Sequence, residues 1–185
     1  MKKKINNHYI LYYLIILLFF SYFFLYFKHQ TGNDSTISEW LINYEGGFTR
    51  RGFIGQAMII LSRLFDSELR WTIFISQSFF CTFYFFLLWS LFKNLKTNKI
   101  IYLIIFTPIF ILYPIAEIEV LARKEIIVFT FFLIYLLIPA QHKFKNFFLF
   151  LFSFFSILVW EPIIFFFPLI FFIIVNRFFV FISYY

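Results

Sequence analysis

Long apolar stretches are the feature that most constrains what this chain can fold into. The stretches Tyr9–Phe27 and Trp71–Phe92 approach the roughly 20 residues that cross a bilayer as a helix. Hydrophobic residues make up 63% of the 185 residues and charged residues only 14%, whereas a soluble domain needs about a quarter of charged residues. We therefore predict an all-α, polytopic membrane helical bundle that forms one domain over residues 1–185.

Further apolar stretches bring the predicted number of membrane helices to about six. They cover Ile100–Ile115, Ile126–Ala140 and Phe147–Val175, the last of which is interrupted by the sequence WEP at 160–162. The first stretch, Tyr9–Phe27, is too long for a signal peptide and no small-residue cleavage site follows it. We interpret it as the first membrane helix of the mature protein.

Basic residues orient these predicted helices. When the helices alternate in direction, the lysine-rich segments 2–4, 93–99 and 143–145 and also Arg177 fall on one side, and such loops mark the cytoplasmic face. This pattern predicts a multi-pass protein of the cytoplasmic membrane with its N-terminus in the cytoplasm. The net charge of +7 then reflects loops anchored at lipid headgroups, and we expect no nucleic-acid partner.

The opposite, outer face is predicted to hold the acidic residues of the chain and its candidate site residues. The same alternation puts there the polar loop 28–70, the short segment 116–125 and the interruption 160–162, which together hold all nine acidic residues. The predicted helices 126–140 and 147–159 would be only about 22 and 20 Å long. Glu125 and Glu161 at their outer ends are therefore expected at membrane depth, where ionisable groups face a polar cavity or a partner. The alternative is a tight hairpin with Glu161 among the headgroups.

The outer polar loop contains the sequence YEGGFTRRGFIG at 44–55. The residues after it have helical spacing of apolar side chains, which predicts an interfacial helix over about 52–66 on the outer membrane surface. Arg50 and Arg51 precede the N-terminus of that helix, a place that suits phosphate because free N–H groups and guanidinium forks meet there. The alternative is that both arginines only bind lipid headgroups.

Two clusters of charge on this face are expected to line one pocket. Glu45 stands five residues before the arginine pair and is a candidate general base, while Arg50 and Arg51 hold a phosphate leaving group. The second cluster is the sequence ARKE, with Arg123, Lys124 and Glu125, and Glu161 is added to it. A polyprenyl-phosphate-linked sugar fits such a site. No metal-ligand motif is present, although carboxylates can share a divalent ion.

The sequences YEGGFTRRGFIG, ARKE and WEPIIFFFP resemble those of bacterial multi-spanning proteins of surface polysaccharide synthesis, near the O-antigen polymerases. The layout also resembles GT-C glycosyltransferases, in which an acidic residue of the first outer loop is the catalytic base. The resemblance implies that Glu45 is the base and that Glu125 or Glu161 positions the sugar acceptor. It implies that the lipid-linked phosphate is held by Arg50, Arg51, Arg123 and Lys124.

The chain also departs from that group. It is shorter than such proteins usually are, which predicts a truncated member, and its first loop lacks a DxD pattern. Two other functions therefore stay open: a non-catalytic transporter or flippase component for a lipid-linked anionic substrate, and an inactive fragment. The first should tolerate loss of Glu45 better than loss of Arg50 and Arg51, and the second should tolerate the loss of all three.

Overall fold

The computed structural model describes residues 8–31, 35–49, 51–93, 103, 105, 106, 121–139, 141–166 and 168. These residues are helical or lie in turns, and none of them forms a strand. The α-helices are α1 (His8–Thr31), α2 (Ser35–Leu41), α3 (Gly52–Leu64), α4 (Leu69–Phe92), α5 (Glu125–Leu137) and α6 (Phe144–Val159). A 3₁₀ helix, Glu161–Phe166, follows α6.

Two of these helices are long and apolar enough to cross a membrane, His8–Gln30 within α1 and Leu69–Phe92. Over the 18 most apolar consecutive residues of each, only 28% and 39% are buried inside the protein, so many apolar side chains are exposed. Tyr12, Phe19 and Phe23 of α1 are examples of such exposed side chains. The described residues thus form an all-helical structure with two candidate membrane spans. The six membrane spans predicted from the sequence are not shown.

The other predicted spans divide into two groups. The apolar helices α5 and α6 have 13 and 16 residues, so both are shorter than a typical span. The second group lies outside the described residues. It consists of the stretch Ile100–Ile115, apart from three of its residues, and the chain beyond residue 168.

The helices pack around α4, which contacts α1 on one side and α5 on the other. Polar side chains join α1 to α4: the hydroxyl of Tyr22 bonds to the hydroxyl of Thr82 and donates to the carbonyl of Ser78 at 3.3 Å. Interhelical hydrogen bonds of this kind add to van der Waals packing where the surroundings are as apolar as the helices. In turn, α6 packs on α5 and α3.

A lysine fixes the C-terminal end of α5. Lys145, in the first turn of α6, is buried and donates from Nζ to the carbonyl of Ile138, which directly follows α5. The same Nζ lies 4.6 Å from the centre of the Tyr135 ring. A cation is favourable at this end of a helix because the last carbonyl groups have no partner within it.

The helix predicted over about 52–66 is present as α3, Gly52–Leu64. It lies on α2, α4 and α6, with Ile54 and Met58 buried. Phe65 falls within the predicted range, but it directly follows the end of α3 and is 74% exposed. That α3 lies along a membrane surface stays a prediction.

Two glycines of α3 allow the preceding loop to approach closely. A Cβ atom at Gly55 would lie 2.0 Å from the carbonyl oxygen of Ile42, and one at Gly52 would lie 2.5 Å from the Tyr44 ring. No real Cβ contact is that short, so the position of the loop depends on the missing side chains. Small residues commonly serve this purpose where backbones must pack closely.

We expect Gly55→Ala to lower the free energy of unfolding by about 1–3 kcal/mol, because the new methyl group forces Ile42 away. Thermal unfolding of the purified protein in detergent, followed by circular dichroism, measures the effect. Gly46→Ala is the matched control, since no atom of the described residues lies within 4 Å of a Cβ there. Equal melting temperatures for the two variants would contradict the close approach.

Candidate functional site

The loop that carries the sequence ARKE is held by two buried side chains. Ala122 has a positive φ of 54°, a conformation that residues other than glycine seldom adopt. Its carbonyl oxygen accepts a hydrogen bond from Trp40 Nε1 of α2 at 3.0 Å and from Gln77 Nε2 of α4 at 3.3 Å. Both donor side chains are fully buried. Two helices thereby fix the backbone immediately before Arg123.

Arg123 joins this loop to α2 through a carboxylate. Its Nε donates to Oε2 of Glu39 at 3.1 Å, and its Nη2 donates to Oε1 of the same side chain. Two parallel bonds between a guanidinium and a carboxylate are geometrically specific and stronger than neutral hydrogen bonds. The pair is partly buried, with side chains 35% and 21% exposed, and it connects the loop to α2.

Lys124 lies just before α5 and is 2% exposed. Its Nζ donates to the backbone carbonyl of Arg51 at 2.9 Å, which links the start of α5 to the start of α3. Burial lowers the pKa of Lys124 to about 8; the nearby Arg51 also lowers it, and Glu39 and Glu125 oppose the change. The ammonium group is therefore poised to lose its proton not far above neutral pH.

Glu125 and Glu161 complete the group. One carboxylate oxygen of Glu125, Oε2, is buried with no hydrogen-bond partner among the described residues, and burial raises the pKa of this carboxyl. Glu161 Oε2 lies 4.0 Å from Nη2 of Arg51, and both side chains are partly exposed. We call the six residues the charged cluster: Glu39, Arg51, Arg123, Lys124, Glu125 and Glu161.

The structure thus brings together five of the residues singled out in the sequence, at the beginning of α3, the beginning of α5 and the end of α6. Arg50 lies outside the described residues. Glu45 is placed elsewhere: it stands in the exposed turn closed by the Gly47 N–H donating to the Tyr44 carbonyl, and it accepts from Nη2 of Arg63 at 2.6 Å. With side chains 52% and 71% exposed, that ion pair is screened by solvent.

Glu39 is the member of the charged cluster that sequence reasoning did not single out. It lies on α2, a seven-residue helix inside a segment taken to be a polar loop. Two signals were available: the spacing of Thr36 and Glu39, which is typical of a helix start, and the spacing of the buried residues Ile37 and Trp40. Neither signal identifies Arg123 as the partner.

The cluster offers hydrogen-bond donors and acceptors and no evident metal site. Within the described part of the chain, no three histidine, cysteine, aspartate or glutamate residues are grouped so that they could hold a metal ion. The guanidinium of Arg51 and the ammonium of Lys124 can instead stabilise an anion, and Glu125 can accept or give a proton.

Comparison with known proteins gives no further guidance to this site. No protein-family model, no curated protein and no solved structure matches the chain.

We expect the stability of the protein to depend on the titration of Lys124. Between about pH 8 and 10.5 the unfolded lysine still binds its proton while the folded one has lost it, so the unfolded state holds more protons. Raising the pH through this window therefore stabilises wild type relative to Lys124→Met. Denaturant unfolding in detergent at several pH values measures this difference.

The exposed Lys143 provides the control for this pH dependence. Lys143→Met removes an exposed lysine side chain, and we expect its stability profile to match that of wild type. Parallel stability profiles of wild type and Lys124→Met would show that Lys124 keeps an ordinary pKa in the fold.

Proposed function

We propose that this chain binds a lipid-linked, phosphate-bearing sugar at the charged cluster and transfers or polymerises that sugar. The proposal includes the six-span topology, an outward-facing cluster and a place in surface polysaccharide synthesis at the bacterial cytoplasmic membrane. One observation carries it: cations and carboxylates from three distant segments meet at the ends of α3, α5 and α6. Ionisable residues gathered on an apolar helical protein normally mark a functional site.

The cations suit the leaving group of such a reaction. An acceptor hydroxyl oxygen attacks the anomeric carbon of the donor sugar, and the bond from that carbon to the phosphate oxygen breaks. The phosphate oxygen keeps the electron pair, and the hydroxyl proton passes to a carboxylate. Arg51 and Lys124 would stabilise the negative charge that develops on the phosphate.

Two carboxylates are candidates for the proton acceptor. Glu45, the base predicted from the sequence, lies in the turn before α3 and is paired with Arg63. Glu125 has the buried, unpartnered oxygen and the raised pKa, and a base with a pKa nearer to neutral is more effective at physiological pH. Glu125 is therefore the better placed of the two, and the role of Glu45 stays a prediction.

A non-catalytic transporter or flippase component is the second candidate, and one observation favours it. Arg123 is bound by Glu39 and Lys124 is bound by the Arg51 carbonyl, so part of the cluster serves to hold segments together. Binding without chemistry needs the cations but no proton acceptor. The two functions consequently differ in how they respond to loss of a carboxylate.

The test is the ladder of surface polysaccharide on a gel, in a strain that lacks the gene and is complemented with variants. We expect Glu125→Gln to reduce polymer by about 100-fold or more, the usual effect of removing a general base. Glu45→Gln is run beside it to decide between the two carboxylates, and membrane levels of each protein are compared by immunoblot.

Glu68→Gln is the matched control, since Glu68 is exposed at the start of α4. It should leave the ladder intact. A normal ladder with both Glu45→Gln and Glu125→Gln would contradict carboxylate catalysis and favour transport. A ladder unchanged by deletion of the gene would remove the polysaccharide function altogether.

A further inference from the structure

A cavity of about 380 Å³ lies among α3, α4, α5 and α6. Its size falls within the roughly 300–1,000 Å³ of ligand sites. The side chains that line it are apolar, and α6 contributes the largest share: Phe148, Leu151, Phe152, Phe155 and Val159. Leu151 and Phe152 are neighbours, and Phe148 and Phe155 each stand three and four residues from them, with Val159 four residues further on, so the five form one stripe along the helix. Phe53 of α3 meets Phe155 with ring centres 5.8 Å apart.

Several residues that line the cavity stand close in sequence to members of the charged cluster. Ile127 and Phe131 are its lining residues on α5, and they stand three and seven positions after Lys124. Residues at this spacing share a helix face, so the buried ammonium lies on the cavity side of α5. On α3 the lining residues Phe53 and Ile54 lie in the first turn, directly after the N-cap residue Arg51. The apolar space and the two cations are therefore near the same helix ends.

We propose that this cavity holds the hydrocarbon chain of an anionic lipid whose phosphate rests against Lys124 and Arg51. The inference rests on the proposed function only in taking that lipid to be the carrier of the transferred sugar. It extends that function by giving the lipid chain a site between the helices, separate from the bulk bilayer.

Charge complementarity supports an anionic head group. Glu39 is already engaged by the guanidinium of Arg123, while Glu161 Oε2 lies 4.0 Å from Nη2 of Arg51 and offsets part of its charge. The first turns of α3 and α5 carry the lining residues Phe53, Ile54 and Ile127, and helix N-termini carry partial positive charge. The ammonium of Lys124, which donates its hydrogen bond to a neutral carbonyl, adds a full positive charge to these helix ends.

The walls also favour a hydrocarbon chain over a peptide. A peptide segment would bring backbone N–H and C=O groups into the cavity, and each buried polar group needs a hydrogen-bond partner. The lining side chains are Phe, Ile, Leu and Val, which provide none. A hydrocarbon chain has no such requirement and gains from burial.

The first experiment is photolabelling of the full-length protein in lipid nanodiscs. The probe is farnesyl phosphate with a benzophenone at the end of its chain, and the labelled peptides are identified by mass spectrometry. We expect label on the lining stripe of α6, at residues such as Leu151 and Phe155. Label confined to the exposed side of the same helix, at Phe150 and Phe154, would overturn the proposal.

Two variants separate filling of the cavity from a general effect on the fold. Leu151→Trp places a larger side chain in the cavity and should lower labelling about tenfold, since overpacking leaves no room for the chain. Leu64→Trp, the same change at an exposed position, should label as wild type does. Equal labelling of both variants would overturn the proposal, and circular dichroism establishes that each is folded.

The head group is tested with the matching benzophenone farnesol, which lacks the phosphate. We expect it to label the cavity about tenfold less, the factor that corresponds to loss of one good ionic contact. Farnesyl phosphate should compete with the probe, while inorganic phosphate should not. Equal labelling by the alcohol would remove the role given to Lys124 and Arg51.

This outcome is distinguishable from failure of the proposed function. Cavity labelling combined with a polysaccharide ladder that survives deletion of the gene would keep the lipid site and exclude sugar transfer. A ladder that depends on Glu125, together with label only on exposed helix faces, would keep sugar transfer and exclude the lipid site.

Discussion

The hydrogen bonds received by the Ala122 carbonyl are the interaction on which the arrangement of the charged residues depends. Trp40 and Gln77 reach this one oxygen from helices that lie 82 and 45 residues away along the chain. Loss of the acceptor would take this hydrogen bond from the buried indole N–H of Trp40 and from the buried amide N–H of Gln77, each at a cost of about 1–3 kcal/mol. Two polar side chains in an apolar interior thus fix the position of the segment that carries Arg123, Lys124 and Glu125.

Several properties of the cluster follow from its position at helix ends. The cations have different contacts: Arg123 is bound to Glu39 of α2, whereas Lys124 donates to the Arg51 carbonyl and links the start of α5 to the start of α3. Because Lys124 is surrounded by protein, its charge is only weakly screened, and the same burial lowers its pKa. A single environment therefore makes this ammonium both an effective partner for an anion and a group that can lose its proton.

The sequence predicted the long helices better than it predicted their contacts. The apolar runs 9–27 and 71–92 lie inside α1 and α4, which extend beyond them because polar residues such as Lys28 and Arg70 still fit a helix. The short helix α2 was not predicted, since seven mostly polar residues carry little periodicity. The grouping of Arg51, Lys124 and Glu161 agrees with placing their segments on one face. The Glu39–Arg123 pair depends on the tertiary contacts of Trp40 and Gln77, and local patterns do not contain that information.

The close approach of Ile42 to Gly55 affects how mutations in this region can be interpreted. Gly52 and Gly55 belong to the same short motif as Arg51, yet their role is steric: they let one backbone lie against another. A screen that scores only loss of activity would give these glycines the same weight as a ligand-binding arginine. Such a screen would assign function to more residues than those that bind the ligand. The amount of protein that accumulates in the membrane distinguishes the two cases, because a glycine variant that disturbs packing lowers it and a variant of a binding residue does not.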